Sequence, residues 1–301
     1  MPQLLKPDIE NKFTPDQTSL FIDSKLEPKD QDARLNWIRS LLKQIPDTAG
    51  VYYFYGQQDE PLYIGKSVHI RQRLMSHLNT ARQDERALRF ICQTHRLAWR
   101  CTYGDIHAQL LENREIKAQF PIFNRAQRRL KQFFSWNFAE KNPLHLELSG
   151  FKSDKVYTEQ NRVCYGIYKN ARQARESLKT IADREQLCLR VLGLEKGRGP
   201  CFRSQINKCA GACAGSETKD EMVSRLLDAF LPYTLQLWPY AGPVQFLENS
   251  GWHLVYQWQS FGVFSHKLTA SEVKTQINTT PIAFDKDEYR IIRRLLLSNP
   301  I

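Results

Sequence analysis

Two short runs of β-branched and aromatic residues, Gly50-Val51-Tyr52-Tyr53-Phe54-Tyr55 and Pro61-Leu62-Tyr63-Ile64-Gly65, are separated only by the polar stretch from Gly56 to Glu60. A connector that short cannot carry the chain round to a parallel partner, so the runs read as the two strands of one antiparallel hairpin. Upstream, Leu35, Ile38, Leu41, Leu42 and Ile45 recur at helical spacing until Pro46 stops the pattern. Downstream, Ile70, Leu74 and Leu78 form the apolar stripe of a second helix, and Arg73 and His77, four apart, share another face of it. A third strand is expected at Leu97 to Thr102, then a helix with Asp105 as its N-cap that closes before Pro121. The result is a small α/β (α+β) unit ending near Asn124.

The rest of the chain divides around this unit. Residues 1–33 are polar and dotted with proline, as in Asn11-Lys12-Phe13-Thr14-Pro15-Asp16, and read as a flexible N-terminal arm. The first domain is expected at 34–130, its end marked by the basic connector Arg125 to Lys131. A second, mixed α/β unit is expected at 131–216, with alternating strands at Phe133 to Phe138 and Leu144 to Leu148, a helix at Ala171 to Ala182 and a cysteine-rich loop. The remainder, 217–301, reads as a helix at Lys219 to Leu231, a β-patterned stretch from Gly242 to Phe264 and a last helix at Tyr289 to Leu297.

Charge narrows the partners. The net charge is +11, and the stretch from Lys66 to Lys131 contributes +9 of it, the footprint expected of a surface that meets phosphates. A solvated basic face is the plain alternative. No run of about 18 apolar residues is present, and Met1 to Glu10 lacks the order of a signal peptide, which together point to a cytoplasmic protein with no membrane partner. Four of the seven cysteines, Cys188, Cys201, Cys209 and Cys213, fall in one loop, separated by 12, 7 and 3 residues. In a cytoplasmic chain such a cluster points to metal ligation before disulfides, and irregularly spaced thiolates suit an iron-sulfur cluster at least as well as zinc. Four reduced structural thiols are the bland reading. Cys92, Cys101 and Cys164 read as core.

The literal tripeptide Gly166-Ile167-Tyr168 lies more than a hundred residues after Tyr63-Ile64-Gly65 and is a decoy, because the two motifs of a GIY-YIG site share one hairpin. Gly50-Val51-Tyr52 has the right distance. With Tyr63-Ile64-Gly65-Lys66, Ile70-Arg71-Gln72-Arg73-Leu74, Leu110-Leu111-Glu112 and Phe123-Asn124 in that order, the chain resembles the UvrC family of GIY-YIG excinucleases, its shorter members in particular. The resemblance implies a central antiparallel sheet flanked by helices and a metal-dependent DNA endonuclease activity. It implies that Glu112 is the ligand of a single Mg2+ or Mn2+ and that Arg73 contacts the scissile phosphate, where a planar fork outperforms a lysine. Tyr52 and Tyr63 match the tyrosines that position or deprotonate the attacking water, and which of them is the base stays open. Lys66 is placed to lower a phenol pKa, and Asn124 matches a site-supporting asparagine. His77 departs from the family, which commonly has a tyrosine there; imidazole can donate, accept or move a proton near neutral pH.

For the four cysteines the resemblance implies a [4Fe-4S] cluster, with zinc as the alternative. It further implies damaged double-stranded DNA as substrate and UvrB as partner, with UvrA acting upstream, since the sequence shows no P-loop of its own. With one nuclease site recognisable, a single cut on the 3′ side is expected, and docking on UvrB through the region from Phe133 to Ile301. A branched-DNA or restriction nuclease independent of UvrB, and a catalytically silent DNA-binding subunit, are the rival expectations.

Overall fold

The computed structural model describes residues 18–21, 31–124, 132–139, 142–152 and 163–298. Its contacts gather the chain into two compact units, one made of 1–129, 240–282 and 287–301, the other of 130–239 and 283–286. The chain thus leaves the first unit and returns to it at Tyr240, and the contacts draw their boundary there where the sequence suggested one at 217.

The first unit begins with β1 (Thr18–Phe21), α1 (Gln31–Leu41), β2 (Gly50–Tyr55), β3 (Pro61–Ser67), α2 (Ile70–Thr80), α3 (Glu85–Cys92), β4 (Arg96–Cys101) and α4 (Asp105–Gln119). Its sheet runs β1-β4-β2-β3, antiparallel throughout. Because strand side chains alternate, Tyr52 and Phe54 face one side with Tyr63, which pairs with Phe54, and pack on Leu35, Ile38, Leu74, Leu78 and Phe90 from the first three helices. Val51, Tyr53, Tyr55 and Ile64 face the other side and meet Leu111 and Ile116 of α4. Both faces of β2 are therefore covered, and every residue of it is buried.

Three features correct the expectations. Part of the supposed arm is β1, which pairs in register with β4 from Thr18↔Trp99 to Phe21↔Arg96; 1–17 and 22–30 lie outside the described residues, as does the connector Arg125 to Lys131. A four-residue edge strand shows no period of its own, and its partner alone makes it a strand. Helix α3 was not expected either. Finally, Asp105 is the first residue of α4 and not its cap; Gly104 holds the cap position and offers no side chain.

The second unit contains β5 (Gln132–Ala139), β6 (Asn142–Lys152), β7 (Tyr165–Tyr168), α5 (Ala171–Arg184), α6 (Phe202–Gln205) and α7 (Lys219–Phe230). Its sheet runs β6-β5-β7. Leu178 and Ile181 of α5 and Leu226 and Phe230 of α7 close over Trp136, and Cys188, Cys201 and Cys209 lie in the same core. The decoy tripeptide is in β7, paired with β5, with the Tyr168 hydroxyl 3.1 Å from that of Ser177.

The chain then returns to the first unit with β8 (Val244–Glu248), β9 (Gly251–Tyr256), β10 (Gln259–Phe264), α8 (Ala270–Thr279) and α9 (Lys286–Ser298). The β-patterned stretch is a three-stranded sheet in the order β10-β9-β8. The segment is tied to α4 through Arg114 to the Ser260 carbonyl (3.4 Å), Lys117 to Asp287 (2.8 Å) and Arg294 to Gln109 (2.8 Å). Among the described residues no helix is long and apolar enough to cross a membrane.

Candidate active site

The hairpin and α2 bring the aromatic half of the site together. Tyr52 on β2 pairs with Gly65 on β3, and its ring lies where any larger residue at 65 would put a Cβ, which explains the glycine in physical terms. The Tyr52 hydroxyl is 2.8 Å from His77 Nε2 on α2, and the Tyr52 and Tyr63 rings stack at 6.2 Å. His77 meets the Tyr63 ring edge-on at 5.4 Å. One turn earlier on α2, Arg73 is exposed, and its guanidinium favours the ionised form of the Tyr52 phenol.

The acidic half comes from α4. Glu112 is half-buried and its Oε1 accepts the Lys66 backbone N–H at 3.0 Å. The Lys66 ammonium donates to Asp105 Oδ1 at 2.6 Å, and Asp105 also accepts from Gln109 at 2.7 Å. Lys66 thus grips α4 at two points one heptad apart, and its charge favours the Glu112 carboxylate, while Arg73 is a cation acting on the Tyr52 phenol. Asn124 makes both hydrogen bonds of a backbone mimic with Ile64, accepting its N–H at 2.9 Å and donating to its carbonyl at 2.8 Å, and so pins β3 from outside the sheet.

Burial sets the charge states. It raises Glu112 to about 7, against the Lys66 N–H, the Lys66 charge and Arg73, all of which favour the carboxylate. Burial and Tyr63 push the Tyr52 phenol far above its ordinary value despite Arg73. Burial first and Arg73 second hold His77 down to about 4, leaving a neutral imidazole at pH 7. A site whose burial penalises the Glu112 carboxylate by more than Lys66 and Arg73 relieve is one that a bound cation stabilises.

In the second unit the ligand atoms of Cys188, Cys201 and Cys213 lie within 4.8 Å of one another, and Cys209 Sγ is 3.6 Å from Cys201 Sγ. All four are free thiols. Burial pushes Cys209 up to about 11, reinforced by Cys201 and Cys188, as expected when several thiols compete for ionisation in one pocket. The donor set fits a sulfur-ligated metal centre.

Sequence reasoning missed Asp105 as the partner of Lys66 and gave no hint of Glu248. Glu248 Oε1 and Oε2 accept from the Ile106 and His107 N–H groups at 2.8 and 3.0 Å. No local pattern signals a contact between residues about 140 positions apart.

The UvrC-like GIY-YIG domain model matches residues 48–125, and the model of the UvrC/Cho excinuclease middle domain matches residues 144–231. Excinuclease cho of Escherichia coli K12 is 39% identical over 274 residues, covering 87% of this chain and 86% of that protein. The UvrABC system protein C of Pasteurella multocida is 24% identical over 251 residues, 82% of this chain and 39% of that protein. Among solved structures, the GIY-YIG N-terminal endonuclease domain of UvrC from Thermotoga maritima, bound to its catalytic divalent cation magnesium, is 32% identical, covers 29% of this chain and 96% of that one, and has a TM-score of 0.27.

Proposed function

Since the chain belongs to the UvrC/Cho family of excinucleases and is a metal-dependent DNA endonuclease of the GIY-YIG type, we propose that it makes one incision, 3′ to a lesion, in DNA engaged by UvrA and UvrB. The observation that carries the reading is the gathering of Tyr52, Tyr63, Arg73, His77 and Glu112 in one pocket, with a carboxylate held near 7.

Glu112 would hold Mg2+ or Mn2+ as its single protein ligand, and the ion would supply Lewis-acid stabilisation of the negative charge on the phosphoryl oxygens. Arg73, exposed beside it, binds a non-bridging oxygen of the scissile phosphate. Tyr63 orients the attacking water. The water proton passes to the Tyr52 hydroxyl as the Tyr52 proton passes to His77 Nε2, so that the buried phenol never carries full charge. A phosphate docked beside His77 raises the imidazole pKa, making the pair a better base when DNA is bound. Lys66 and Asn124 hold the frame of β3 against α4.

In the second unit Cys188, Cys201, Cys209 and Cys213 would hold a [4Fe-4S] cluster. A zinc ion is the second reading, favoured by the thiol spacing: a tetrahedral ion with bonds of about 2.3 Å sets sulfurs about 3.8 Å apart, near the observed separations, whereas a four-iron cube requires them to part. Anaerobically purified protein that is brown with iron and sulfide supports the cluster; a colourless protein with one zinc per chain refutes it and keeps the four-thiolate site.

Phosphate contacts alone give weak, salt-sensitive affinity for DNA, on the order of micromolar, so selectivity comes from UvrB, docked on the region from Phe133 to Ile301, which carries none of the nuclease residues. Strand-resolved incision of a lesion-bearing duplex tests this: one 3′ cut is expected only with UvrA and UvrB present. Efficient, correctly placed cutting by the chain alone returns the branched-DNA nuclease reading.

A further inference from the structure

Glu112 is seven residues into its helix from Asp105, on the same face, and Lys66 holds both. Two grips on one residue of β3 fix how α4 leans on the sheet. They do little to fix it along its own axis, and the cap residue, Gly104, has no side chain to contribute. That role is taken by β8. The Glu248 carboxylate closes on the first free amides of α4, one oxygen on Ile106 N–H and the other on His107 N–H.

This carboxylate is held in turn. Its side chain is only 12% exposed, and the wholly buried His253 of β9 places Nε2 3.0 Å from Oε2 while its ring stacks on Phe246 at 4.5 Å. Burial alone would favour its neutral form; His253 and the two amides outweigh burial and keep Glu248 below the usual carboxylate range. Gly104 is required for room: with an extended φ of −174° it is not strained, but a Cβ there would run into the Glu248 carboxylate. Asn249 donates to the Tyr103 carbonyl from the same turn. The far half of α4 is tied to the same segment by Arg114 and Lys117. All of these anchors come from 248–287, outside both matched domain ranges, 48–125 and 144–231.

We propose that Glu248 is a positioning residue for the metal centre: bound across the amino end of α4 and braced by His253, it sets the axial position of the helix that presents Glu112. The proposal rests on the reading of Glu112 as the metal ligand. A site with one protein ligand is sensitive to such a displacement, because a misplacement of about 1 Å costs on the order of a hundredfold in rate.

The test is direct Mn2+ binding to the DNA-free full chain, followed by the electron paramagnetic resonance of the free ion, beside Mg2+-dependent nicking of supercoiled DNA. Glu248→Ala should weaken Mn2+ binding to the same degree as it raises the half-saturating Mg2+ concentration. Glu248→Ala is expected to raise the half-saturating Mg2+ concentration about tenfold and to lower kcat, with KM for DNA within about twofold of wild type. Glu248→Gln keeps the volume and one carbonyl acceptor and should fall between. Gly104→Ala, which displaces the carboxylate without removing it, should reproduce Glu248→Ala and add nothing to it in the double variant. A purely structural role would reduce the folded fraction and leave the metal dependence of the remainder untouched. Unchanged Mg2+ half-saturation in a Glu248→Gln or Gly104→Ala protein with wild-type circular dichroism overturns the proposal and leaves the nuclease reading standing. A wild-type chain that does not nick, or a Glu112→Ala chain that nicks normally, removes that reading and this one with it.

Discussion

The pocket at Glu112 and the thiol loop both hold groups that burial penalises when charged, but they are built in opposite ways. Glu112 stands on a 15-residue helix packed on a sheet whose central strand is covered on both faces. The thiols are carried by a chain from Cys188 to Cys213 whose only helix is the four-residue α6, and which turns at Gly193, Gly197, Gly199 and Gly211, all with positive φ between 71° and 142°. Regular structure gives the first site its shape before a cation arrives. Glycine turns allow the second its shape without enforcing it, so a metal held there would contribute to folding. Metal loss should therefore silence the first site and loosen the second.

The sharpest way to break this contrast is at Glu112. Glu112→Ala is expected to reduce Mg2+-dependent nicking below about one per cent of wild type while DNA affinity, measured by fluorescence anisotropy, stays nearly intact. Residual metal-dependent nicking above that level counts against a one-ligand site. Tyr63→Phe should lower the nicking rate on the order of a hundredfold, and Tyr168→Phe, which loses its contact with Ser177, should keep full activity and give up about 1 kcal/mol of stability in denaturant melts. Equal losses would mean that the wrong hairpin has been chosen. Cys209→Ser is expected to lower the melting temperature of the second unit by about 5 °C or more and to leave the active-site residues in place; a variant that melts like wild type would make the thiols ordinary core.

The smallest effect is one of pH. Glu112 is raised in the folded chain from 4.5 to about 7, so folding favours its proton. Its contribution to stability is full below about 4.5 and is lost as pH rises through about 7. In the absence of divalent cations the melting temperature should fall over that window, and both Glu112→Gln and saturating Mg2+ should flatten the fall. Since proton and metal compete for one carboxylate, apparent Mg2+ affinity should rise over the same range.

What the sequence disclosed follows the same division. The hairpin, α2 and α4 were legible because their signals are local: alternation over six residues, a stripe at helical spacing, a proline stop. The gathering of Tyr52, Tyr63, Arg73, His77 and Glu112 was legible because each sits at a spaced motif within one such element. Strand β1 was not, since its four residues become a strand only beside β4. Helix α8 carries few apolar residues, Val273 and Ile277 among them, and α3 is only eight residues long. The start of α4 was misread for a related reason: Asp105 has the residue type of a cap, but its carboxylate is engaged by Lys66 and Gln109, and the capping carboxylate comes from a strand much later in the chain. Lys66 reads as a charge at the site, and its ion pair with Asp105 of α4 is seen only in the fold.

The return of the chain to the first unit at Tyr240 has a consequence for the order of synthesis. By the time α4 has left the ribosome Tyr52, Tyr63, Arg73, His77 and Glu112 have all been made, yet the strand that closes on the amino end of that helix is translated only after residues 130–239 of the second unit. During that interval the nascent protein is a nuclease with an unfinished frame, and any chain released early, by premature termination or by proteolysis before Val244, carries the complete set of motifs without the brace. For an enzyme whose error is an unwanted break in DNA, this makes competence a property of the finished polypeptide.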